Sequence, residues 1–251
     1  TMPSKKILLI TGASKGIGAA TALRAAQDGW AIAVHYLNDL AAAQAVCASI
    51  IAHGGQAQPF AADVRSEASV IALFKAVLKH FGQLDGLVNN VGITPLFGRV
   101  DDMDAARLND VFSTNITGAF LCAGQAVKAM STRHGHRGGV IVNISSRAAI
   151  LGSGNRYVDY AASKAALDAL TVGLAKEVAL EGIRVNGVRP GIIHTSIHDK
   201  NGGAANLQEG LKTIPMQRIG TPEDIANAVV WLLSDASAYM TSSFIDVSGG
   251  R

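Results

Sequence analysis

The feature that most limits how this chain can fold is a repeated alternation of short apolar runs with longer segments of helical spacing. It starts with the run at 7–10, a glycine-rich turn, and apolar and small residues at helical spacing over 16–27. The same order recurs as 31–36 before 40–52, 57–61 before 69–80, 84–88 before 105–130, and 140–144 before 157–180. Each short run is almost continuously apolar, as strands are when helices cover both faces of a parallel sheet. Two more strand-like runs, 183–188 and 244–247, are separated by an irregular stretch, 195–217, and a helix-like 223–233. The pattern predicts an α/β fold: a Rossmann-type, doubly wound parallel sheet of about seven strands with helices on both faces. No repeat, low-complexity tract or linker interrupts it, so one domain over 1–251 is expected.

Composition narrows the function classes. The 251 residues are 49% hydrophobic and 16% charged, too apolar for a disordered chain or coiled coil. No run of about 18 uncharged apolar residues could span a membrane, and the first apolar run is too short for a signal peptide. A soluble, cytoplasmic protein with no membrane partner is expected. With 22 basic against 19 acidic residues, and 5% aromatics, there is no raw material for a nucleic-acid surface. Cys47 and Cys122 lie far apart in helical runs, which suits a reduced compartment and gives no metal-ligand spacing. Asp101, Asp102 and Asp104 read as acids at a helix start, and 133–137 as an exposed turn, so no metal site is expected.

Two constellations carry chemistry. The turn Thr11-Gly12-Ala13-Ser14-Lys15-Gly16-Ile17-Gly18 joins the first strand to the first helix, where backbone amides and the helix dipole can hold a pyrophosphate. An ordinary glycine-rich turn is the plain alternative. The spacing G-x3-G-x-G lacks the ending of a Walker loop, which disfavours nucleoside triphosphate hydrolysis. The second constellation, Tyr160-x-x-x-Lys164, sets a phenol and an ammonium one helical turn apart. A cation there draws the phenol pKa down towards the working range. A chance pairing on a half-exposed helix is the alternative, weakened by Ser145-Ser146 at the carboxyl end of the strand at 140–144, where ligands of open sheets bind.

Taken in order, Thr11–Gly18, Asp63-Val64, Asn89-Asn90-Val91-Gly92, Asn115, Ser146, Tyr160-x-x-x-Lys164 and Arg189-Pro190-Gly191 resemble the short-chain dehydrogenase/reductase family over essentially the whole chain. The segments 215–218 and 220–224 are similar to the branch of 3-oxoacyl-carrier-protein reductases and sugar or alcohol dehydrogenases. The resemblance implies a tetrad. Tyr160 exchanges a proton with the substrate oxygen, and Lys164 lowers the tyrosine pKa and holds the nicotinamide ribose. Ser146, rather than Ser145, orients the carbonyl, and Asn115 holds water linking Lys164 to solvent. It also implies that Gly12, Ser14, Lys15, Gly16, Ile17 and Gly18 surround the pyrophosphate and adenosine ribose, and that Asp63 and Val64 meet the adenine. Asn90, Val91 and Gly92 would line the cofactor ribose, with Pro190, Gly191, Ile193 and Thr195 beside the carboxamide. A homotetramer packed through 105–130 and 157–180 is implied as well.

The second strand ends His35-Tyr36-Leu37-Asn38, without the acid that NAD enzymes of this fold place there. Lys15 and Asn38 could meet a 2′-phosphate, so NADP(H) is expected over NAD(H). The expected reaction is hydride transfer between a ketone and a secondary alcohol on a small molecule. The alternatives are an NAD-dependent sugar or alcohol dehydrogenase, a dinucleotide-binding redox sensor without turnover, and an epimerase or dehydratase. Substrate choice is expected from 93–99, 148–158 and the substrate-side loop 195–217, with His194 and His198 close by.

Overall fold

The computed structural model describes residues 5–195 and 203–251. In chain order the elements are β1 (Ile7–Ile10), α1 (Gly16–Gln27), β2 (Ala31–Tyr36), α2 (Leu40–Ala52), β3 (Gln56–Ala61), α3 (Glu67–Phe81) and β4 (Gly86–Asn89). They continue with α4 (Ala105–Phe112), α5 (Gly118–Met130), β5 (Gly139–Ile144), α6 (Ala148–Leu151), α7 (Val158–Val178), β6 (Ile183–Pro190), α8 (Gly203–Leu211), α9 (Pro222–Leu233) and β7 (Phe244–Val247).

The seven strands form one sheet in the order β3-β2-β1-β4-β5-β6-β7, every pair parallel. The central strands β1 and β4 are buried throughout, as their continuous apolar runs require. Alternate side chains feed two cores. Leu9, Leu87 and Ile141 pack with α3, α5 and α7 on one face, and Leu8, Ile10, Val88 and Val142 pack with α1, α2 and α9 on the other. Chain order runs outward from β1 in one direction and from β4 in the other. That reversal opens a crevice at the carboxyl ends of these two strands.

Two segments differ from the sequence expectation. The single helix expected over 105–130 is α4 and α5 joined by a π-helical turn, Ser113–Thr117. A single wider turn is too short to show a period of its own in the sequence, so the spacing does not reveal it. The stretch 195–217, read as irregular, contains α8. Among the described residues no helix is long and apolar enough to cross a membrane, and no cluster of potential metal ligands is present. Asp104 caps α4 by accepting from the Arg107 amide, and Asp101 pairs with Arg99.

Candidate active site

A cleft of about 690 Å³ lies over the carboxyl ends of the strands, walled by the turn after β1 and by the residues that follow β2 to β6. Its volume suits a small molecule with a cofactor-sized group. At its floor, Gly12 and Gly16 have φ of +64° and +54°, a conformation that favours glycine. A Cβ on Gly18 would stand 2.3 Å from the Gly12 carbonyl oxygen, so α1 can approach the turn only with hydrogen there. Gly18 therefore packs the helix against the turn and does not line the cleft, whereas Gly12, Ser14, Lys15, Gly16 and Ile17 do. Lys15 occupies the N-cap position of α1 and no side chain caps the helix, so its first amides are free to hold an anion.

The turn is pinned from two sides. The Asn90 amide nitrogen Nδ2 donates to the carbonyls of Thr11 (2.9 Å) and Gly12 (3.1 Å). The Gly12 N–H donates to Nδ1 of His35 at 2.9 Å, while His35 Nε2 reaches the Ala62 carbonyl at 3.0 Å. His35 is 2% exposed, and burial lowers its pKa. A buried imidazole that accepts at Nδ1 and donates at Nε2 is neutral.

At the end of β2, Tyr36, Leu37, Asn38 and Asp39 line the cleft. The strand-end run 35–38 carries no acid, as expected, but the residue after it does. Asp39, one residue beyond the strand-end tetrapeptide, caps α2 and binds Lys15 Nζ at 2.6 Å, so the lysine is already paired. The pair is exposed, 63% at Lys15 and 42% at Asp39, and such pairs are held weakly and exchange partners readily. After β3, Asp63 and Val64 line the cleft, and the Arg65 guanidinium grips the Asp63 carboxylate at 2.8–3.2 Å, holding its pKa low. Past β4 come Asn90, Val91 and Gly92. Past β6 come Pro190, Gly191, Ile193 and Thr195, the last close to Gly16.

On the other side of the cleft stand Ser146, Tyr160 and Lys164. The Tyr160 hydroxyl shares hydrogen bonds with the side chains of Ser146 and Thr94. Ser145 is buried and its hydroxyl donates to the Lys164 carbonyl at 3.2 Å, which leaves Ser146 as the serine beside the phenol. Lys164 Nζ donates to the Ile144 carbonyl at 2.8 Å and lies 5.8 Å from the Tyr160 ring centre. Here the sequence expectation is corrected. Burial pushes the Tyr160 phenol up to about 12, and the hydrogen bonds from Ser146 and Thr94, not the lysine charge, oppose that rise. Burial also brings Lys164 down to about 8, against the pull of the Asp168 carboxylate one turn further along α7. At neutral pH the phenol thus holds its proton and the amine is mostly a cation.

Asn115 does not reach the cleft. It is buried in the π-helical turn, its Oδ1 accepting from the Ile93 amide at 2.8 Å and its Nδ2 donating to the Ile93 carbonyl and Ser163 Oγ at 3.0 Å. Gly92 lies against both Asn115 Oδ1 and Lys164 Nζ. Tyr157, Leu151, Ser153, Ile192 and Arg251 complete the wall, with the Tyr157 ring edge-on to Tyr160 at 5.4 Å. His194 is exposed and its amide donates to the Gly220 carbonyl; His198 lies outside the described residues. Sequence reasoning passed over Asp39, Arg65 and Arg251, and held Thr94 only within the substrate-choosing segment 93–99. Asp39 and Arg65 directly follow assigned residues, whereas nothing in the sequence gives Thr94 or Arg251 a role at the phenol or the cleft wall.

Together these features accommodate a dinucleotide: an uncapped helix start, a floor that a Cβ would fill, and a long cleft ending at a tyrosine. A family model described as enoyl-(acyl carrier protein) reductase matches residues 12–251. The chain is 51% identical over 245 residues to an uncharacterised oxidoreductase, YgfF, of Escherichia coli K12, covering 98% of this chain and 99% of that one. It is 38% identical over 255 residues to a 3-oxoacyl-[acyl-carrier-protein] reductase of Synechocystis, covering 100% and 98%. Among solved structures, a dehydrogenase/reductase from Sinorhizobium meliloti superposes with a TM-score of 0.91 at 33% identity, over 98% of this chain and 94% of that one. A short-chain dehydrogenase/reductase from Serratia marcescens does so with 0.91 at 29%, over 99% and 98%. This chain belongs to the short-chain dehydrogenase/reductase family, in the branch of the 3-oxoacyl-carrier-protein reductases, and is an NAD(P)-dependent oxidoreductase.

Proposed function

We propose that this protein is a cytoplasmic, single-domain enzyme that interconverts a ketone and a secondary alcohol on a small molecule, with NADP(H) preferred, and that Tyr160 is its acid and base. The observation that carries this reading is the convergence of Ser146 and Thr94 on the Tyr160 hydroxyl in the wall of the cleft. The bound dinucleotide supplies or accepts the hydride. The chain does the rest. Gly12, Ser14, Gly16 and Ile17 hold the pyrophosphate at the start of α1; Asp63 and Val64 meet the adenine; Asn90, Val91 and Gly92 line the ribose. Pro190, Gly191, Ile193 and Thr195 flank the carboxamide.

In the reducing direction, Ser146 donates to the carbonyl oxygen and orients it, and the protonated phenol of Tyr160 gives its proton to that oxygen as negative charge develops. In the oxidising direction the phenolate takes the proton back, helped by the Lys164 cation. One Asn115 Oδ1 lone pair is taken by Ile93; the second is free for the water that links Lys164 to solvent.

Two features support NADP(H). Lys15 can leave its exposed pair with Asp39 for a more strongly charged 2′-phosphate, and Asn38 also lines the cleft. Asp39 favours the second reading, an NAD-dependent sugar or alcohol dehydrogenase, because its carboxylate repels that phosphate. Fluorescence titration with NADPH and NADH decides between them, and tighter NADH binding reverses the preference. For the chemistry, ketones, β-ketoacyl thioesters, diketones and sugars are screened with both reduced cofactors. Tyr160→Phe is expected to lower kcat by about 10²- to 10⁴-fold. Undiminished turnover in that variant sinks the acid–base assignment.

A further inference from the structure

Arg147 and Arg251 line the cleft near Tyr157, with Arg156 acting on Arg251 and Arg189 joined to Arg147 through Asp246, and all but one of these four have carboxylate partners. Arg147 is bound to Asp246, Arg156 to Glu209 at 3.6 Å, and Arg189 to Asp168 at 2.9 Å. Arg251 is the exception. Its backbone is fixed: the carbonyl accepts from Arg147 Nε at 2.7 Å and from Ser248 Oγ at 2.9 Å, and the amide points to the Ser248 carbonyl. Its guanidinium, in contrast, has no carboxylate partner among the described residues, although the residue is half-buried in the cleft wall. The charged and polar groups that act on it are Tyr157, Arg156 and Arg147. Two of these are cations, and together with burial they weaken its hold on its proton. Tyr157 leads on to Tyr160, ring edge to ring face at 5.4 Å. A half-buried cation among like charges, on a fixed backbone and facing a cleft, lacks an anion.

We propose that the anion comes with the substrate: the cleft selects a carbonyl or alcohol compound carrying a carboxylate or phosphate, and the Arg251 guanidinium binds that group while Ser146 and Tyr160 hold the reacting oxygen. The shared chemistry is an oxyanion with two or three oxygens, which a guanidinium engages through paired N–H donors. The apolar Leu151 and Ile192 and the ring of Tyr157 supply the wall for a short carbon chain between the two ends. This inference rests on the oxidoreductase reading of the same site and adds the class of substrate to it.

The test is a set of matched ketones, each offered with saturating NADPH and NADH: 3-oxobutanoate and 4-oxopentanoate against their methyl esters for the carboxylate arm, and dihydroxyacetone phosphate against dihydroxyacetone for the phosphate arm. The wild-type protein is expected to favour the anionic member of at least one arm by about tenfold or more in kcat/KM, and the arm identifies the source of the oxyanion. Arg251→Gln is expected to remove that preference, chiefly through KM, and Arg251→Lys to restore part of it. Neutral members favoured in both arms, or a preference that survives Arg251→Gln, overturns the proposal while leaving ketone reduction intact.

Calorimetric titration of the same anions into the protein saturated with oxidised cofactor gives an independent reading should none of the ketones turn over. Binding weakened about tenfold or more by Arg251→Gln supports the anion site while the ketone reading fails. Binding that is absent, or equal in the two proteins, overturns the site.

Discussion

His35 shows how one side chain can hold a cofactor turn. Its imidazole bridges the Gly12 amide and the Ala62 carbonyl, joining the carboxyl ends of β1 and β3 across β2, and the hydrogen bond it accepts from Gly12 at Nδ1 needs the neutral ring. Burial lowers its pKa from the ordinary imidazole value of about 6.5, with the Ala62 carbonyl and the Asp63 charge pulling the other way. Since the folded protein resists protonation there, the unfolded chain binds more protons once the pH falls below about 6.5. The contribution to stability is therefore intact above that pH and is lost on acidification towards the lower folded-state pKa. Urea midpoints at pH 7.5 and 5.5 should fall further for the wild type than for His35→Asn, whose amide carries no titrating proton; equal falls would remove His35 as the cause. Asp39 permits a second test at this scale. Asp39→Asn removes the carboxylate beside Lys15 and should move the NADPH-to-NADH affinity ratio towards NADPH several-fold, read by fluorescence titration. An unchanged ratio would place the 2′-phosphate elsewhere.

At the scale of elements, the site depends on how α4 is fastened to the start of α7. Arg107 on α4 grips Asp159 through Nε at 2.7 Å and a terminal nitrogen at 3.2 Å; the Asp159 side chain is fully buried, and its Oδ1 also accepts from the Tyr160 amide. Arg107→Ala leaves that carboxylate buried without a counter-charge, next to Tyr160. A loss of about 3 kcal/mol in unfolding free energy is expected, together with a fall in kcat. The apolar pair Arg107→Met with Asp159→Leu should recover much of the stability but not the tyrosine's position. Chemical denaturation alongside the Tyr160-dependent rate checks both, and a single variant as stable as wild type refutes the account.

The same helices show what could be read in advance. The central strands were legible because each is a nearly continuous apolar run between turn residues, and the outer ones, such as β3 and β6, because they keep the alternation with helices despite polar residues. Ser146, Tyr160 and Lys164 were legible because a helical spacing and a strand end place them near one another. The π turn holding Asn115 was not, since a single wider turn is too short to show a period of its own. Nor was the position of the phenol pKa. Residue spacing reports which groups are neighbours, but burial, which here raises Tyr160, comes from walls contributed by distant parts of the chain. Arg251 was missed for that reason, and Thr94 was held only within 93–99 without its bond to the phenol: each meets the cleft only through tertiary convergence.

At the scale of the whole molecule, the unexplained feature is the outer surface of α5 and α7. A solvated helix face normally carries charge, yet the exposed positions of α7 include Ala162, Ala165, Ala169 and Gly173, and those of α5 include Phe120 and Gly124. Phe120 is 50% exposed, and a Cβ on Gly124 or Gly173 would meet nothing within 4 Å. Small residues along a helix let a second backbone come close, and an aromatic ring beside them supplies apolar area to bury. These two faces fit contact with sister chains in a homotetramer, in which α5 and α7 would be covered twice, once by the sheet and once by a neighbour. Such an assembly also gives the 49% hydrophobic content a second place to be buried. Phe120→Arg and Ala169→Arg each set a long cation on that surface, while their own chain leaves them room, so folding of the single chain should be retained. Light scattering behind a sizing column should then show a tetramer for the wild type and smaller species for both variants. A wild-type monomer, or variants that stay tetrameric, would mean that these faces are not the interface.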